Sequence, residues 1–202
     1  MKLISYRVKN DRGFAPNPYF NVLTLATCKP SIRKSSHVGI NDWIVGWTAA
    51  SSEKFATPVG KEKLVYLACI SKIIPIAQYW YDYPQKRPDA SKGKNSPEYY
   101  GDNIYMPDDS NPHGFTRENS VFHRDERNIK KDLSGKNVLI CSEFYYFGAE
   151  KALNIPDEIR KDFNQVFRGH KYFYEENDIL KLIDFVKNNK SKCNFSKDGH
   201  SF

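Results

Sequence analysis

The order of its hydrophobic patterns constrains this chain most: β-prone runs fill the first two thirds and helical repeats come near the end. Ile4, Tyr6 and Val8 alternate with Ser5, Arg7 and Lys9, so Lys2–Lys9 reads as a strand. Asn21–Thr27 and Asp42–Thr48 repeat that reading, and Leu64–Ile74 is the strongest apolar run, a buried strand by its β-branched and aromatic content. Pro75 opens a short helix over Ile76–Tyr81. The segment Tyr83–Gly114 is rich in Pro, Lys, Ser, Gly and Asp, and reads as a long loop holding one short strand within Gly101–Met106. Asn137–Ser142 is a further buried strand, followed by Phe144–Phe147. Helical spacing then takes over, with Ile159, Phe163, Val166 and Phe167 in Pro156–Phe167, and Ile179, Leu182, Ile183 and Val186 in a last helix capped by Asn177 or Asp178.

Strands first and helices later imply an α+β fold and not a doubly wound one. Short strands joined by basic loops suit a small mixed sheet or partly closed barrel with helices packed on it. The VGINDWIVG segment lends that picture a PUA-like analogy. Neither a repeat nor a linker divides the chain, so residues 1–188 are expected to form one domain, with 189–202 as a polar tail.

Of the 202 residues, 40% are hydrophobic, which excludes global disorder. No apolar run nears the ~20 residues of a membrane span. The short Leu3–Ile4 stretch is cut by Arg7, Lys9 and Asp11, so no export signal is read there. Cys28, Cys69, Cys141 and Cys193 are widely separated, without a C-x-x-C pair, and read as free thiols of a cytoplasmic protein. The five histidines are scattered as well, so no local metal-ligand pattern is read. Residues 1–101 hold 15 Lys/Arg against 7 Asp/Glu, and residues 102–202 hold 16 against 17. That excess in the first half suits a nucleotide or nucleic acid, and equally a merely solvated surface.

Walker loops, G-x-G-x-x-G, nucleophile elbows and H-E-x-x-H are all absent. Chemistry must come from less regular clusters. In Gly13–Lys34, two Pro/Asn turns containing Asn17 bracket a strand that delivers Thr27, Cys28 and Lys29 to a proline turn, with Arg33 four residues on. Backbone N–H groups and the cations Lys29 and Arg33 would clamp a phosphate there, although an ordinary hairpin explains the same spacing. Gly101–Tyr105 sets Asp102 and Asn103 side by side, either to orient a sugar hydroxyl or base edge or to form an Asx turn, with Tyr105 beside them. In Phe122–Asn128, His123 and Asp125 share a face if the segment is a strand, giving an imidazole base with a carboxylate partner. Glu143 lies among the aromatics of Ser142–Gly148, where Tyr146 offers a face for base stacking. Arg168 and His170 flank a glycine at a helix end.

Taken together, these segments resemble the second family of nucleotide-modification-associated domains, known from bacteria and phages. The resemblance rests on GFAPNP at Gly13–Pro18, TLATCKPSIR at Thr24–Arg33, DWIVG at Asp42–Gly46, GDNIY at Gly101–Tyr105, Asp132–Ile140 with its DLSG and VLI, and FYYFG at Phe144–Gly148. It covers most of the chain in order, departing at Gly39–Asp42, where a compact Gly-Asp turn is expected. What it implies is a nucleotide or nucleic-acid ligand and a setting of modified nucleotides and phage–host conflict, with no assigned reaction.

Two readings follow. One is a transferase or hydrolase acting on a nucleotide or nucleic-acid base, with His123 and Asp125 as acid and base, Asp102 and Glu143 as orienting carboxylates, and no cofactor specified. The other is a non-catalytic reader of modified bases; an interaction subunit serving a partner protein is a blander third. The enzyme reading expects Lys29, Arg33, Asp102, Asn103, His123 and Glu143 to converge on one cleft.

Overall fold

The computed structural model describes residues 1–163 and 169–197. In chain order the strands are β1 (Leu3–Val8), β2 (Leu23–Leu25), β3 (Trp43–Thr48), β4 (Leu64–Cys69), β5 (Lys72–Pro75), β6 (Tyr105–Pro107), β7 (Phe115–Arg117), β8 (Asn137–Cys141), β9 (Glu143–Tyr146), β10 (His170–Phe173) and β11 (Phe195–Lys197). The helices are α1 (Pro30–Arg33), α2 (Ile76–Asp82), α3 (Glu126–Leu133), α4 (Asp157–Arg160) and α5 (Glu176–Asn188). The fold is α+β, as the pattern of runs implies, and its sheets are open and not closed into a barrel.

The chain divides into two compact units. The first comprises 1–11, 39–71 and 141–202, and the second 12–38 and 72–140. In the first, six strands run in the order β10-β1-β3-β4-β9-β11. Only β1 and β3 are parallel, Leu3 facing Trp43 in register; the other neighbours are antiparallel. Alternation along β1 and β3 carries Leu3, Trp43, Val45 and Trp47 into one core, which α5 closes with Ile179, Leu182, Ile183 and Val186. The polar segment after residue 188 adds the edge strand β11, where Phe195 faces Tyr146.

In the second unit β8 is the centre of a three-stranded sheet, β2-β8-β5, and β6 and β7 form a separate antiparallel pair. Its core gathers Phe14, Ala26, Ile74, Tyr79, Ile104, Tyr105 and Val138. The run Leu64–Ile74, expected as one strand, is two: β4 serves the first unit and β5 the second. An unbroken apolar run carries no periodic sign of a break, and the polar pair Ser71–Lys72 is where the chain changes sheets.

The long segment after Tyr83 is held by a fully buried lysine. Lys86 donates from Nζ to the Asn17 carbonyl (3.1 Å), Asn17 Oδ1 (2.7 Å) and the Val22 carbonyl (2.7 Å). Asn17 in turn donates to the Tyr100 carbonyl at 2.8 Å. A buried ammonium satisfied by three oxygens ties the Gly13–Pro18 turn to the polar segment, so the latter has a fixed course despite its loop composition.

Candidate active site

Cys28 follows β2 at a sharp change of direction. Both Cys28 and Lys29 take left-handed backbone conformations, φ 57° and 39°, before Pro30 opens α1. Left-handed non-glycine residues cost about 1 kcal/mol or more, and two in succession persist only where the surroundings enforce them. The enforcing group is Arg33, whose side chain is buried and whose guanidinium donates to the carbonyls of Cys28 (Nε, 2.8 Å), Asn137 (2.7 Å) and Asp132 (2.5 Å). It packs so closely on Gly135 that a Cβ there would lie 2.4 Å from Arg33 Cζ.

Three side chains meet at this elbow. The sulfur of Cys28 is 3.5 Å from His123 Nε2, and His123 Nδ1 is 2.5 Å from Asp132 Oδ2. Asp132 is fully buried; its other oxygen accepts the Cys28 backbone N–H at 2.7 Å, and Tyr105 donates its hydroxyl to Oδ2 at 2.8 Å. His123 is left-handed too, φ 49°, in a loop whose carbonyls at Ser120, Phe122 and His123 all accept from Arg117. Burial disfavours charge on this ring, but the hydrogen bonds and negative charges of Asp132 and Cys28 outweigh it and raise the pKa to about 9. At neutral pH His123 is therefore an imidazolium, donating from Nδ1 to the carboxylate and from Nε2 to the sulfur. Burial and Asp132 push the Tyr105 hydroxyl upward, so it stays a donor.

The sulfur, a ring nitrogen and a carboxylate oxygen lie within 4.8 Å of one another, the reach of a shared metal ion. Both carboxylate oxygens are already spent on hydrogen bonds, and Nδ1 on one of them. This donor set fits a nucleophile, its proton carrier and an orienting acid better than a metal centre.

Asp125, expected as the partner of His123, instead caps α3, its side chain accepting from the Asn128 N–H at 2.9 Å. The segment turns into a helix right after it, so the shared face of a strand never forms. Arg33 grips carbonyls where a phosphate clamp was expected. Lys29 follows the sulfur, half-buried, and desolvation lowers its pKa. Thr27 is buried and its hydroxyl has no hydrogen-bond partner among the described residues. Asp102 is buried and accepts from Thr24 and Tyr79, each at 2.7 Å; burial raises its pKa, with Lys86 opposing. Asn103 donates to the carbonyls of Tyr79 and Tyr83 at the end of α2. Both therefore stabilise the unit around the elbow.

Glu143, Tyr146 and His170 belong to the first unit. Glu143 pairs with Lys187 at 2.9 Å and Tyr146 donates to Asp11 at 2.6 Å from a buried position. His170 lies 3.1 Å from the Tyr172 hydroxyl, and Arg168 lies outside the described residues. Asp132 is the candidate site residue that sequence reasoning did not single out. Its signal was present: it falls three residues after Ile129 and one before Leu133, placing an acid by the apolar face of a short helix.

The family described as "Nucleotide modification associated domain 2" matches residues 1–199. No curated protein and no solved structure matches the chain. No described helix is long and apolar enough to cross a membrane.

Proposed function

Because the chain belongs to the nucleotide modification associated domain 2 family, we propose that it is a nucleotide- or nucleic-acid-base-modifying transferase or hydrolase with Cys28 as its nucleophile. The observation that carries this reading is the alignment of Cys28, His123 and Asp132 at 3.5 and 2.5 Å. Its place in the cell is DNA modification in phage–host conflict, the setting the family resemblance suggests.

The chemistry divides into two halves. The Cys28 sulfur attacks an electrophilic carbon of the substrate and forms an S–C bond. As the bond to the leaving group breaks, His123 Nε2 gives that group its proton. The neutral imidazole then takes a proton from water or from an acceptor hydroxyl or amine, whose oxygen or nitrogen displaces the sulfur and restores the starting state. Asp132 keeps the ring aimed and offsets its charge, while Tyr105 and the Cys28 N–H hold the carboxylate still. A reader that only binds has no use for an imidazolium directed at a sulfur, which favours catalysis over that alternative.

Alkylation tests the assignment. A cysteine without such a partner is only a few per cent thiolate at pH 7. Cys28 in the native protein is expected to react with iodoacetamide faster than Cys69, whose thiol burial pushes up to about 11, or the buried Cys141. His123→Ala is expected to slow Cys28 about tenfold at pH 7, because the sulfur loses the ring nitrogen 3.5 Å away that supports it as a nucleophile. Peptide mass mapping reads each cysteine. An unchanged Cys28 rate in the His123 variant, or one equivalent of tightly bound metal masking the thiol, would overturn the reading.

A further inference from the structure

A row of aromatic rings leads away from His123. Phe14 meets the imidazole edge-on at 5.0 Å and stacks on Phe122 at 4.6 Å, their planes 25° apart. Tyr100 continues the row against Phe122 at 6.0 Å and 26°, and Tyr19 stacks on Tyr100 at 5.6 Å and 25°. Tyr99 stands edge-on to Tyr100 at 5.2 Å and to Phe122 at 6.3 Å. Phe14 is buried and belongs to the core, which explains it. Phe122 also packs against that core from a partly exposed position; Tyr19, Tyr99 and Tyr100 are partly exposed on connecting segments, and core packing does not account for these three.

The row is also held in place. Asn17 fixes the Tyr100 carbonyl, Arg117 fixes that of Phe122, and Tyr19 packs over Gly13, where a Cβ would lie 2.8 Å from its hydroxyl. Charge accompanies it: the second unit carries 15 Lys/Arg against 10 Asp/Glu. Lys92 and Lys94 are exposed just before Tyr99, and the Lys94 carbonyl accepts from the Tyr100 hydroxyl at 3.0 Å. Arg124 is exposed directly after His123.

We infer that this row is a stacking platform that seats the unpaired bases of a single-stranded nucleic acid beside Cys28. The inference rests on the proposed function, whose substrate it narrows. Interleaved aromatic and basic side chains are what single strands require, one stacking on base faces and the other tracking phosphates. One base covers about one ring, whereas three partly exposed rings, Phe122, Tyr100 and Tyr19, follow the buried Phe14 in the row, so the row is longer than a mononucleotide. In a duplex the base faces are taken by their neighbours, and a nucleophile reaches a base only once it is unstacked.

The test uses the full chain and fluorescence anisotropy with a labelled oligothymidylate, its duplex with oligoadenylate, and dTMP as competitor. The single strand is expected to bind at least tenfold more tightly than the duplex, and dTMP at equal nucleotide concentration not to displace it. Tyr19→Ala and Tyr99→Ala should each weaken binding about tenfold, the stacking increment of one base. Tyr99→Phe should restore it, and melting curves of each variant confirm folding. Equal affinity for the duplex, displacement by dTMP, or unchanged binding in the folded Tyr→Ala variants would overturn the inference. Cys28 alkylation in the same variants separates the two claims. A normal Cys28 rate without strand preference faults the platform alone, and a Cys28 rate insensitive to His123 faults the nucleophile alone.

Discussion

Replacing Arg33 by methionine will lower the melting temperature by about 10 °C, the larger of two stability effects expected of the site. The guanidinium is the only donor that the described contacts give to the Cys28 carbonyl, it shares the Asp132 carbonyl with the Gly135 N–H, and the buried site excludes water as a substitute. A buried acceptor left without a donor costs about 1–3 kcal/mol, and a hydrogen bond to a charged donor lost from an acceptor that keeps another is worth about 1.5–3 kcal/mol. Partial relaxation of the three brings the sum to about 4 kcal/mol, and a chain of this size loses about 2–4 °C per kcal/mol. Methionine keeps most of the volume, so the loss reports hydrogen bonding more than a cavity. Lys34→Ala, one residue on and exposed, should melt within about 1 °C of the parent, as surface changes do. Gly135→Ala should act in the same direction as the Arg33 change, because the new methyl drives into the guanidinium. Differential scanning calorimetry reads all three, and an Arg33→Met protein melting with the parent would mean that the elbow is held by something else.

The same residue shows where sequence reading stops. An arginine four positions after Lys29, just past a proline turn, looks like a phosphate clamp, because its charge is visible in the sequence and its acceptors are not. Those acceptors are carbonyls 99 and 104 positions away as well as the nearby one of Cys28. Helix α5 was legible because its apolar repeat is local, and β1 and β3 because alternation is local too. Cys28 and His123 were both singled out, yet their relation was not legible: they are 95 positions apart, and Asp132 is 104 positions from the N–H it accepts. Asp125 was preferred as the imidazole's partner because two residues of spacing is a local cue. That cue depended on a strand, and the Asp-x-x-Asn capping contact makes the segment a helix start. Asp102 misled in the opposite way, since a buried carboxylate satisfied by Thr24 and Tyr79 has the same residue type as a catalytic one.

Substituting Asp132 by asparagine will remove a pH dependence of stability that the parent shows between neutral and alkaline solution. The folded-state pKa of His123 is about 9, against 6.5 for a free imidazole. A group whose pKa is raised by folding stabilises fully below its unfolded value and loses that contribution as pH climbs through its folded value. The interaction is therefore complete below about pH 6.5 and gone above about pH 9. A displacement of this size corresponds to about 3 kcal/mol at 1.36 kcal/mol per unit. Asparagine carries no charge to hold the imidazolium and turns one acceptor into a donor facing the Tyr105 hydroxyl or His123 Nδ1, so the ring titrates near its ordinary value or below. Urea denaturation at pH 6, 8 and 10 should show the gap between parent and variant shrinking by about 3 kcal/mol across that range. Comparing the two proteins cancels the lysines, tyrosines and other cysteines that titrate in both. A gap that stays constant from pH 6 to 10 would mean that His123 is neutral in the native protein, and the sulfur would then have no imidazolium beside it to make it a nucleophile.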